Sequence, residues 1–364
     1  ITRQASVTWI GGTTGDWFNP ANWAVTGTST PGAVPDLSNV SAVIIPSGTT
    51  VTFNDATAGR TSPAQTGTVN ITTLTGGSLT VLAGALSATS LNVVDLNTSS
   101  GTTVTTTSGI TVAPTTGVTD TIAGVLAGSG ATLTKNGAGT LALSGTNTYS
   151  GATSIAAGQL IIQNDGPTLN SSTYSGAGTL TIQPVSGSFT STFALPTAKI
   201  DSTLGGLTIG KSGNASTITT DGNFSLAGAL LIYGPSGLGG NITTTGSQEF
   251  TGNVTISATN VSLSASNSAI TFGGDVNGAT ANANSLFLSS GAGAINIAGN
   301  VGNNYALSYL GLGGTGTYIA GSTTNFSYTG AVQTFTATYA GTYTFYAWGA
   351  QGGNGFSTVG GNGG

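Results

Sequence analysis

Ala269-Ile-Thr-Phe-Gly-Gly-Asp-Val276 returns further along the chain as Ala294-Ile-Asn-Ile-Ala-Gly-Asn-Val301. At a longer offset, Gly137-Ala-Gly-Thr-Leu-Ala-Leu143 returns as Gly176-Ala-Gly-Thr-Leu-Thr-Ile182. Each copy carries a short triplet with large apolar residues at both ends, and in most copies a polar one between, beside turn-forming Gly or Asn, the spacing of a half-buried strand. The longer offset is near two coils of about 20 residues each, and fixed periods of this size mark a solenoid. A coil this small cannot bury its apolar face alone, so it lies on its neighbours at about 4.8 Å per step.

The same triplet recurs outward from these copies, in Val51-Thr-Phe53, Leu79-Thr-Val81, Leu91-Asn-Val93, Leu160-Ile-Ile162, Leu207-Thr-Ile209 and Val254-Thr-Ile256. Helix signals are nearly missing, because no stretch combines apolar i, i+3, i+4, i+7 spacing with helix-favouring residues. The chain reads as all-β, in three parts. Residues 1–40 form an aromatic-rich capping module, and residues 41–315 a parallel β-helix body. Residues 316–364 form a C-terminal antiparallel, sandwich-like β module with a glycine-rich tail. Ile1 is not an initiator and Gly360–Gly364 ends the chain in a glycine-rich run, so a longer natural protein is expected.

Composition narrows the function. Only 4% of the 364 residues are charged and the net charge is −5, so solubility rests on hydroxyls and amides. Arg3, Arg60, Lys135, Lys199 and Lys211 are too scattered to neutralise phosphates, which argues against nucleic acid and anionic membranes as partners. No apolar run approaches the roughly 20 residues that span a bilayer. Cysteine and histidine are absent, which removes disulfides, thiolate chemistry and triads built on either residue. A cysteine-free, polar, repetitive chain suits export.

Gly137-Ala-Gly-Thr-Leu-Ala-Leu-Ser-Gly-Thr-Asn-Thr-Tyr-Ser-Gly-Ala-Thr-Ser-Ile-Ala-Ala-Gly-Gln-Leu160 closely resembles the autotransporter-associated β-strand repeat of passenger domains, with a partial second copy at Gly176–Ile182. Thr245–Ile256 and Ile270–Gly278 are similar to repeats of filamentous-haemagglutinin-like exoproteins. The opening from Trp9 through Trp23 looks like a module that begins β-helical segments in such proteins, and Tyr328–Gly353 resembles bacterial glycine-rich surface domains. These resemblances imply a right-handed parallel β-helix, export to the bacterial surface and adhesion. Cell-surface or matrix glycans and proteins, or further copies of the chain, are then the expected partners. A self-assembling fibre subunit is an alternative.

A polysaccharide-acting enzyme is the other alternative, since glycoside hydrolysis needs two carboxylates about 5–9.5 Å apart. Asp201 and Asp221, spaced near the length of one coil, are the pair that stacking could align, although aspartate is also a favoured turn residue. No catalytic, cofactor or metal residues are assigned. Trp9, Trp17 and Trp23 are expected to seal the first coil, with glycan stacking as the rival role. Phe326, Tyr328, Phe335, Tyr343, Phe345 and Trp348 are expected to form the core or interface of the C-terminal module.

Overall fold

The computed structural model describes residues 4–32, 34–35, 40–55 and 69–320. Among them, helix is confined to two single 3-10 turns, Pro20–Asn22 and Thr197–Lys199. Everything else of regular structure is strand, and the strands pair in parallel from coil to coil with one exception, the antiparallel pair Gln4–Trp9 and Trp23–Val25. The chain is therefore a parallel β-solenoid.

Its registers follow the sequence periods. Ile270, Thr271 and Phe272 pair with Ile295, Asn296 and Ile297, which is the shorter repeat offset. Thr140 pairs with Gln159, which pairs with Thr179, so the longer offset spans two successive coils. One inward row runs from Val51 through Leu79 to Leu96. The next strand joins through Thr98 and Ile122 and places Asp120 in the row. From there the row continues through Leu141, Leu160, Leu180, Leu207 and Leu230. Gln248, Ile270, Ile295 and Tyr318 complete it. All but Asp120 and Gln248 bring apolar bulk to the core, so each rung covers the one below at about 25 cal/mol per Å² of apolar surface.

Each coil must turn corners to reach the next rung. In the first coils long strands such as Val40–Asn54 and Val69–Ala83 bend round them within one sheet. Gly76 sits at such a bend with φ +108, and a Cβ there would lie 1.8 Å from the Ile45 carbonyl oxygen. Further along, the other faces separate into two five-stranded parallel sheets, which begin at Phe193–Leu195 and Phe224–Leu226. Carboxamides stitch the corners. Asn223 Oδ1 accepts the Asn241 N–H at 2.7 Å, and Asn241 Oδ1 accepts the Ser262 N–H at 2.8 Å. At another corner Asn253 Oδ1 accepts the Asp275 N–H at 2.9 Å, and Asp275 Oδ1 accepts the Asn300 N–H at 2.7 Å. These bonds give the turn amides of each corner a partner on the neighbouring coil.

At the start of the solenoid, strand Gln4–Trp9 lies parallel to Val40–Asn54. At the far end, Tyr318–Ala320 still pairs in parallel with Ile295–Ile297. The remainder of the expected C-terminal module, with Phe326, Tyr328, Phe335, Tyr343, Phe345 and Trp348, lies outside the described residues.

Candidate functional site

The three N-terminal tryptophans converge. Trp9 and Trp17 each meet Trp23 edge-on, with ring centroids 5.1 and 5.0 Å away, and Trp17 meets Phe53 at 5.6 Å. Trp17 and Trp23 are 0% exposed. The Trp23 indole N–H donates to the Trp17 carbonyl at 2.7 Å and that of Trp9 to the Gly12 carbonyl at 2.8 Å, while the buried Trp17 Nε1 has no partner among the described residues. The ring faces are taken up by one another and by Phe53, which joins the cluster to the inward rows.

Asp201 and Asp221 are not brought together as a carboxylate pair. Asp201 Oδ1 accepts the hydroxyl and N–H of Thr203 at 2.6 and 2.9 Å, closing its own turn. Asp221 Oδ1 reaches back to the hydroxyl and N–H of Thr197, at 2.6 and 2.9 Å. The coil here is longer than the spacing of the two aspartates, so Asp221 stacks over Thr197. The Thr203 hydroxyl holds the Asp201 carboxyl below its ordinary range, and the Thr197 hydroxyl does the same for Asp221. Neither is poised as a general acid, which needs a raised value. Among the described residues, no group of three or more Asp or Glu could hold a metal ion.

Two ionisable side chains occupy core positions. Alternation in Thr119-Asp-Thr-Ile122 turns Asp120 inward beside Ile122, and alternation in Thr132-Leu-Thr-Lys135 turns Lys135 inward beside Leu133. Both are 0% exposed. Asp120 accepts the Leu96 N–H at 3.0 Å and the Asn97 amide at 3.3 Å. Burial pushes its carboxyl up to about 6, the nearby Asp95 charge adding to the rise and Lys135 opposing it. The Lys135 ammonium donates to the carbonyls of Asn136, Gly137 and Ala157 at 2.8–3.1 Å, and burial lowers its pKa against the pull of Asp120.

A cleft of about 250 Å³ opens on one flank of the solenoid, where residues 145–149 and 164–170 pass from one face to the next without forming a strand. Leu143 and Ile162, paired on neighbouring rungs, give it an aliphatic floor. Tyr149 and Tyr174 wall it, both nearly fully buried. The Tyr149 hydroxyl bonds to the Thr153 hydroxyl at 3.1 Å, and burial pushes its pKa up to about 12. Burial raises that of Tyr174 further. Both phenols are neutral at any physiological pH. Asn147 closes one end, its Oδ1 accepting the Leu126 N–H at 2.8 Å. Asn170 donates its amide to the Asn147 carbonyl, and Asn164 Oδ1 accepts the Gly166 N–H at 2.9 Å. Thr146, Gly166 and Thr168 line the mouth. Sequence reading misses this cleft. The break in alternation between Leu143 and Thr153, rich in Gly, Asn and Tyr, is the available signal.

Residues 133–162, which include part of the cleft, match the family model described as the passenger-associated-transport-repeat. No curated protein and no solved structure matches the chain. The repeat match and the parallel β-solenoid together support an autotransporter passenger-like repeat protein, and the repeat family implies an exported, extracellular setting. No helix among the described residues is long and apolar enough to cross a membrane.

Proposed function

We propose that the chain is a stalk segment of an exported bacterial surface adhesin, a stiff rod that holds contact surfaces away from the cell. The observation that carries this reading is the unbroken inward row from Val51 to Tyr318, whose rungs pair in parallel throughout. Twelve steps along that row at about 4.8 Å give an axis of roughly 60 Å. Stiffness comes from backbone ladders parallel to the axis, reinforced by the corner carboxamides. Contact is geometric and repeated, so weak individual contacts add through avidity. The Trp9–Trp17–Trp23 cluster serves as the seal of one end, hiding apolar rungs that would otherwise invite edge-to-edge pairing.

Electron microscopy of the purified chain should show unbranched rods of at least that length. Cells displaying the chain should attach to host-cell or matrix-coated surfaces more than cells displaying an unrelated rod of equal length. Compact particles would overturn the rod. Rods that confer no attachment would overturn the adhesin role, and end-to-end filaments would replace it with a structural fibre. Release of reducing ends from a glycan panel, lost in Asp201→Asn or Asp221→Asn, would replace it with an enzyme.

A further inference from the structure

We infer that the cleft between residues 143–149 and 162–174 binds one ring of a neutral saccharide. This deepens the adhesin reading and rests on it only in that the rod presents the cleft. Size is the first argument: at about 250 Å³ the cleft falls just below the roughly 300–1,000 Å³ of drug-sized sites, which suits a single sugar ring and not an extended chain. Charge is the second. Its lining holds no Asp, Glu, Lys or Arg and its two phenols stay protonated, while the Lys199 ammonium next to it is given to the Leu169 carbonyl, so a phosphate or carboxylate would meet no free cation in the lining.

The third argument is the pattern of unused polar atoms. With Asn164 Oδ1 given to Gly166 and Asn170 Nδ2 given to Asn147, the free ends are Asn164 Nδ2, a donor, and Asn170 Oδ1, an acceptor. The Thr146 and Thr168 hydroxyls, able to do both, also lack partners among the described residues. An apolar ligand would desolvate these four groups without replacing their hydrogen bonds, at about 1–3 kcal/mol for each one buried. A pyranose offers what the cleft is short of, a rim of hydroxyls that donate and accept, above a narrow apolar floor at Leu143 and Ile162. Acidic sugars carry a charge the site cannot answer.

Saturation-transfer NMR on the full chain tests this with methyl glycosides of glucose, galactose and N-acetylglucosamine, against glucuronate and N-acetylneuraminate. At least one neutral glycoside should give a signal. Asn164→Ala should weaken it about five- to tenfold, the loss expected for one hydrogen bond. Thr168→Trp, at the mouth, should abolish it with the β-sheet circular dichroism unchanged. Gly166→Leu is the second blocking variant, since a Cβ there meets only the Thr190 hydroxyl, at 3.6 Å. Silence from all neutral glycosides, signals from the acidic sugars alone, or signals that both blocking variants leave intact would each overturn the inference. Rods that stay silent sink the cleft alone, whereas compact particles in the microscope sink the stalk.

Discussion

Replacing Asp120 by Asn should remove a pH dependence from the stability of the solenoid. The carboxyl is buried in the row between Leu96 and Leu141, and its pKa of about 6 stands above the ordinary 3.8. Between those values the folded chain keeps a proton that the unfolded chain has lost, so stability falls as pH rises through the window and the loss is complete above about 6. Two pKa units at 1.36 kcal/mol each set a ceiling of about 3 kcal/mol. Screening by nearby water brings the expected loss to about 1–2 kcal/mol. Asn keeps an acceptor for the Leu96 N–H and nearly the same shape, while Asp95 and Lys135 remain in both proteins. The difference between wild type and Asp120→Asn therefore isolates the carboxyl. Urea midpoints followed by far-ultraviolet circular dichroism, converted with a shared m-value, should show wild type losing about 1–2 kcal/mol against the variant between about pH 4 and about pH 7.5. A gap that stays flat, or moves in favour of wild type as pH rises, would refute the reasoning, because the core would then be stabilising the ionised form.

Lys135→Met keeps bulk in the core but strips the Asn136, Gly137 and Ala157 carbonyls of a shared donor. It should cost about 1–3 kcal/mol in urea at neutral pH and raise the Asp120 pKa further, visible in carboxyl carbon shifts. Trp17→Ala empties the centre of the aromatic cluster. A loss of about 3–5 kcal/mol is expected, with hydrogen exchange accelerating first in Gln4–Trp9 and Val40–Asn54. Gly76→Ala places a Cβ against the Ile45 carbonyl at a positive φ. It should lower the melting temperature more than Gly166→Ala, whose Cβ meets open space and one hydroxyl.

The fold is legible because its period is written twice over, in triplets of strand spacing and in copies whose offsets equal one coil or two. The repeat alone places Ile270 opposite Ile295. Asp120 and Lys135 are harder. Composition counts them among scattered charges, and aspartate suggests a turn, yet Thr119-Asp-Thr-Ile122 and Thr132-Leu-Thr-Lys135 alternate as strands do and so carry these charges inward. Gln248, inward beside Phe250, follows the same rule. The pairing of Asp201 with Asp221 fails for a simpler reason: coil length varies, and at that point one step is longer than the distance between them in sequence. Of the cleft only the break in alternation after Leu143 is legible, because its lining comes from side chains that only the stacking of two irregular corners brings together.

The backbone hydrogen bonds of the rungs run along the rod and not across it. Tension applied end to end thus meets them one coil at a time, as a zipper is opened, instead of loading all of them at once in shear. A coil such as 270–295 would free roughly 80 Å of slack chain when it lets go. In the stalk proposed above, such coils would lengthen the tether stepwise under a sudden pull before the rod as a whole gives way.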